Sequence, residues 1–198
     1  RLGTIVHSDV EQAILMYKDK LDNMQTEDAS IQRKVYVEQK VRIKDLEVSG
    51  TFDAGEMITI NDRKEFSLYD LKTAAAYKWT TKFGRKQNRV ANSDLNYKLQ
   101  LGTYALGVKE YYNPDWIGMY LIWYNKNTSQ MREQMVEPNW INEALTYWED
   151  VNEIKEDLGK AFETELEPMI TYGVPMQDWE CSYCQFESIC PSTLSKKK

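Results

Sequence analysis

GTFDAGEMITINDRKEFSLYDLKT, residues 50–73, is the stretch on which the fold turns. Two runs rich in β-branched and aromatic residues, Leu46 to Ile60 and Glu65 to Lys72, flank Asn61-Asp62-Arg63-Lys64, a cluster of turn formers. The stretch reads as a β-hairpin. Side chains two apart on a strand share a face, so Asp70 and Lys72 project together while Tyr69 and Leu71 enter the opposite layer. With the turn near Asp62, residues equidistant from it face each other, and Asp53 comes close to Asp70. Two carboxylates on neighbouring strands repel unless a cation sits between them, and oxygen ligands suit Mg²⁺ or Mn²⁺. A lysine two residues along is placed to stabilise developing negative charge or to position an attacking water. Taken alone, the same residues also suit an ordinary hairpin with two surface acids and an incidental lysine.

Outward from the hairpin, the apolar period changes. Val6, Val10, Ala13, Ile14, Tyr17 and Leu21 recur at helical spacing, which predicts a helix from about Val6 to Met24. Lys34 to Lys44 alternates as a half-buried strand does. Downstream, a basic loop leads to a helix from about Asp94 to Tyr112, ended by Asn113-Pro114. Trp116 to Asn125 and Met131 to Val136 read as two further strands, and Pro138 opens a long helix to about Phe162. The order is helix, three strands, helix, two strands, helix, and a cysteine-bearing tail. An α/β core of mixed sheet flanked by helices follows. The expected division is a core over residues 1–170 and a C-terminal cysteine segment over 171–198 packed on it.

Four pieces in this order resemble the PD-(D/E)xK nuclease superfamily, in its RecB-like branch. They are Gly3-Thr4-Ile5-Val6-His7, Gly50 to Asp53, Asp70-Leu71-Lys72, and Gln100-Leu101-Gly102-Thr103-Tyr104. The resemblance spans nearly the whole chain. It implies that His7, Asp53 and Asp70 ligate Mg²⁺ or Mn²⁺ together with the main-chain carbonyl of Leu71. It implies that Lys72 orients or activates the hydrolytic water, and that Gln100 and Tyr104 line the catalytic edge or contact DNA. Glu11, one turn after His7, would join the outer shell, and Glu38 resembles an acidic position often found ahead of the metal strands.

A net charge of −6 argues at first sight against a nucleic-acid partner, but the charge is unevenly spread. Residues 139–168 hold nine acids against two bases, which accounts for the whole deficit. Residues 73–93 hold Lys78, Lys82, Arg85, Lys86 and Arg89 with no acid, interleaved with Tyr77, Trp79 and Phe83. Cations for phosphates and rings for bases are what single-stranded DNA requires, so Lys78, Trp79, Lys82, Arg85, Lys86 and Arg89 are candidate DNA-binding residues. An ordinary flexible basic loop is the plainer alternative.

Cys181, Cys184 and Cys190 form a C-x₂-C-x₅-C array. An odd, clustered set without a secretory signal is a poor disulfide framework and a plausible metal-ligand set. Zinc and iron–sulfur sites both use close cysteine pairs and normally want four ligands. The fourth is absent, a carboxylate, or upstream of Arg1, where the lack of an initiator Met suggests missing sequence. The resemblance favours the last, with a structural [4Fe–4S] cluster clamping the domain ends and zinc as the alternative.

With 42% hydrophobic residues the chain is too apolar for disorder, and it has no run of the about 18 apolar residues a membrane span needs. The expectation is a metal-dependent deoxyribonuclease, an exonuclease on single-stranded ends, in a bacterial or phage-infected cytoplasm, with recombination or replication proteins as possible partners. The alternatives are a non-catalytic DNA-binding or assembly module of the same fold, or a CRISPR-adaptation-type nuclease.

Overall fold

The structure, a computed structural model, describes residues 2–23, 31–89, 93–160 and Gln185. Helix α1 (Leu2–Asp22) precedes three strands, β1 (Ile31–Ile43), β2 (Val48–Ile60) and β3 (Arg63–Ala74). Helix α2 (Ala76–Phe83), a 3₁₀ turn (Lys86–Asn88) and helix α3 (Leu95–Tyr112) follow. Strands β4 (Trp116–Asn125) and β5 (Met131–Val136) then lead to helix α4 (Trp140–Lys160). The strands form one sheet in the order β1-β2-β3-β4-β5, antiparallel except between β3 and β4. A parallel pair needs a long crossover, and α2, the 3₁₀ turn and α3 supply it. This is the mixed α/β sheet that the sequence implies.

The turn that sets the register is two residues long, not four. Asn61 and Asp62 both adopt positive φ, 48° and 67°, between the paired Ile60 and Arg63. Such a loop has the twist that hairpin strands require, and Asn and Asp tolerate it best after glycine. Counting back from it, Ala54 pairs with Tyr69, and that is the last pair between β2 and β3. Beyond it β2 stays with β1 while β3 stays with β4. The two central strands therefore part at Asp53 and Asp70.

Strand alternation assigns the two faces of the sheet. Phe52, Phe66 and Leu68 are fully buried in one cluster with Leu101, Ala105 and Val108 of α3. Tyr69 and Leu71 face the other way, lining a cavity with Val10 and Ile14 of α1. Helix α3 is buried on nearly every side through its middle, so its apolar residues show little one-sided pattern. It ends at Asn113, whose left-handed conformation (φ 43°) returns its N–H to Lys109 O ahead of Pro114.

One expectation changes. The basic stretch between β3 and α3 is helical over Ala76–Phe83 instead of a loop. Trp79 and Phe83, one turn apart, pack their rings at 4.8 Å, and Phe83 meets Trp123 edge-on at 5.8 Å. Eight residues carry too few apolar positions for a helical period to show in sequence. Two compact units are delineated, residues 1–145 and residues 146–198. Cys181, Cys184 and Cys190 lie outside the described residues, as does the 171–198 segment apart from Gln185. Among the described residues, no helix is long and apolar enough to cross a membrane.

Candidate active site

The parting of β2 and β3 leaves backbone groups without strand partners, and side chains take them up. The Leu71 N–H donates to Asp53 Oδ2 at 2.6 Å. His7 Nδ1 of α1 lies 3.7 Å from the same oxygen. Glu11, one helical turn after His7, completes a group whose potential ligand atoms all lie within 4.8 Å of one another: His7, Glu11 and Asp53. Burial raises the Glu11 carboxyl above its ordinary range, and a hydrogen bond with Glu38 raises it further. Glu38 stands opposite Asp53 in the β1–β2 register, between the pairs Val37–Ala54 and Gln39–Phe52. Its φ of 49° is left-handed, a strain on the order of 1 kcal/mol for a residue with a Cβ. The kink exchanges the faces of β1, so that Tyr36 before it and Val41 after it both reach the core under α3.

Asp70 occupies the other prong of the fork and is only 2% exposed. Burial pushes its carboxyl up to about 6, outweighing the attraction of Lys72. Lys72 Nζ lies 2.6 Å from Asp70 Oδ2 and donates to Gln100 Oε1 at 2.8 Å. It also sits 4.9 Å from the centre of the Tyr97 ring, over its face. Gln100 Nε2 in turn donates to the Tyr104 hydroxyl at 2.7 Å. A Cβ on Gly50 would fall 2.5 Å from Cε1 of Tyr104, so only glycine lets that ring cross β2 here. The chain Asp70–Lys72–Gln100–Tyr104 is thus continuous.

These residues fit a divalent cation. Asp70 Oδ2 is a buried carboxylate oxygen whose contact is the close ion pair with Lys72, out of line for a well-aligned hydrogen bond. With Asp53, Glu11 and His7 it makes a set of carboxylate oxygens and one imidazole, which suits a hard ion. Asp70 itself stands outside the His7–Glu11–Asp53 group, turned toward Lys72.

The basic segment divides in two. Lys78 lies over the Tyr97 ring at 4.5 Å and donates to its hydroxyl at 3.0 Å, on the ring that Lys72 also approaches. Trp79 packs against the core beside Phe83, under the Arg132 guanidinium. Lys82 is committed to Asp94, 2.6 Å away, over the Trp123 ring. Arg85, Lys86 and Arg89 are exposed, with Arg89 Nε donating to Gly84 O.

Sequence reasoning passed over Tyr97, Asp94 and Gln134. Tyr97, Gln100 and Tyr104 recur at i, i+3 and i+7 on α3, a stripe the spacing could have revealed. Asp94 accepts from Lys82 and from Gln134 Nε2, whose Oε1 accepts from Trp123 Nε1. Burial alone would raise the Asp94 carboxyl, but Lys82 and Gln134 hold it below the usual range. Residues 94, 123 and 134 lie on three elements, and no local pattern links them.

The family model of the PD-(D/E)XK nuclease superfamily matches residues 2–191. The crystal structure of SSO0001 has a similar fold, with a TM-score of 0.52 and 17% identity, covering 97% of this chain and 69% of that one. A crystal structure from Eubacterium rectale, described as a candidate exonuclease, matches at a TM-score of 0.39 and 18% identity, over 72% of this chain and 49% of that one. No curated protein matches the chain.

Proposed function

The chain belongs to the PD-(D/E)XK nuclease superfamily, and from that premise we propose that it is a metal-dependent deoxyribonuclease of RecB-like type, acting as an exonuclease on single-stranded DNA ends. The observation that carries this reading is the strand fork, where Asp53 meets His7 and Glu11 of α1 on one prong and Asp70 meets Lys72 on the other. His7, Asp53, Asp70 and the Leu71 carbonyl are the ligands of Mg²⁺ or Mn²⁺, with Glu11 beside them. A divalent ion there supplies Lewis-acid stabilisation of the scissile phosphate and acidifies a bound water.

The chain's own groups do the rest. Lys72, fixed by Asp70, Gln100 and the Tyr97 ring, orients the attacking water and offsets charge on the phosphate. Lys78 and the exposed Arg85, Lys86 and Arg89 neutralise neighbouring phosphates. Cys181, Cys184 and Cys190 supply three of the four ligands of a structural [4Fe–4S] cluster. Iron and acid-labile sulfide in the purified protein support it, whereas stoichiometric zinc replaces it.

The test compares wild type with Asp70→Ala on linear and circular single-stranded DNA, in Mg²⁺ or Mn²⁺. Degradation of the linear form alone, abolished by the substitution, is expected. Cleavage unaffected by Asp70→Ala overturns the assignment of Asp70, and cleavage of circles overturns strict exonuclease action.

A further inference from the structure

On the side of the fork away from Lys72, α1 and the sheet enclose a cavity of about 170 Å³. His7, Glu11 and Asp53 contribute to its lining, together with Val10, Ile14, Tyr69, Leu71, Ile122 and the exposed Met131. Apart from the Tyr69 hydroxyl and the His7, Glu11 and Asp53 side chains, that lining is apolar. Tyr69 is backed by Tyr120, with rings stacked at 5.3 Å, so its ring is held in place. The volume is well below the roughly 300–1,000 Å³ of sites that take drug-sized ligands. It suits one planar ring system and not a base pair.

The two faces of the fork therefore differ in kind. Lys72 and Lys78 lie together on the face that bears Tyr97, and apolar walls lie on the other. A nucleotide whose phosphate sits at the fork has its charged backbone drawn to the lysines. Its base has an apolar recess within reach on the opposite side.

We infer that this cavity is a nucleobase subsite: it receives one unpaired base next to the phosphate held at the fork. The inference rests on the nuclease reading and deepens it, because a recess for a single ring system selects single-stranded DNA at the point of attack.

The test uses oligothymidylates with one abasic residue walked along the strand. Binding is followed by fluorescence anisotropy with Ca²⁺, and cleavage is followed with Mg²⁺. In the wild type, one position beside the cleaved bond should lose about tenfold in affinity when its base is removed, the scale of one stacked base. Ile122→Trp, which fills the cavity, should weaken binding of the intact strand by a similar factor and flatten the abasic scan. Met131→Trp at the exposed rim, with folding checked by circular dichroism, should do the same to a smaller extent. Cleavage with a flat wild-type scan overturns the subsite and leaves the nuclease reading standing. Position-dependent binding without cleavage in any divalent metal strikes the nuclease reading alone. A positional penalty that persists in both folded tryptophan variants, or an absence of DNA binding, also overturns the subsite.

Discussion

Burial holds the Asp70 carboxyl up at about 6, against 3.8 for the free group, so the folded metal-free chain grips this proton more tightly than the unfolded one. Stability from this group is complete below pH 3.8 and is lost as the pH rises through about 6. The loss is on the order of 3 kcal/mol by linkage. Asp70→Asn should therefore abolish cleavage yet raise the melting temperature in chelator at pH 7.5 by several degrees, with the gain vanishing near pH 4. Calorimetry across that range checks it, and an unchanged melting temperature at pH 7.5 contradicts it. Gly50→Ala acts in the opposite sense: a Cβ 2.5 Å from Tyr104 displaces the ring and loosens Gln100 and Lys72. It should cost activity before it costs folding, read as a fall in kcat with a cooperative melt retained. The approach of Asp53 to Asp70 was legible because both count from one turn. The left-handed Glu38 was not, because nothing in an alternating strand marks a non-glycine kink.

Helix α2 is held by a buried ion pair more than by its own short length. Lys82 and Asp94 pair at 2.6 Å with about a tenth of each side chain exposed, and Gln134 adds a second donor. Removing one partner strands the other, so Asp94→Ala should destabilise the protein by about 3–5 kcal/mol. Denaturant titration measures this, and a loss below 1 kcal/mol shows the pair to be solvated. On α3, Tyr97 separates two effects. Tyr97→Phe keeps the ring under Lys72 and loses only the hydroxyl bond to Lys78, whereas Tyr97→Leu loses both. Cleavage should survive the first nearly intact and fall severalfold in the second, with an altered pH–rate profile. Equal losses in both place the effect in the hydroxyl. The element order was legible from hydrophobic period, since strands and long helices repeat it several times. Helix α2 was hidden by its shortness, and its anchor Asp94 looks in sequence like an ordinary residue ahead of a helix.

Across the whole molecule, the acidic total conceals an exposed cationic set that net charge cannot report. Replacing Arg85, Lys86 and Arg89 together by Ala should weaken DNA binding for all sequences alike. It should also flatten the dependence of log affinity on log salt by about 2, at roughly 0.7 per phosphate contact on single strands. An unchanged slope excludes these three from the interface. The outermost strand β1 carries a further consequence. Thirteen residues of unpaired edge form a template on which a second chain could add as a strand. Here the edge is blunted: Asp22 Oδ1 of α1 accepts the Val35 N–H, Glu38 breaks the flat run, and Lys34, Lys40 and Arg42 stand exposed along it. The distortion that turns β1 toward the active site thus also makes that edge a poor template for strand addition.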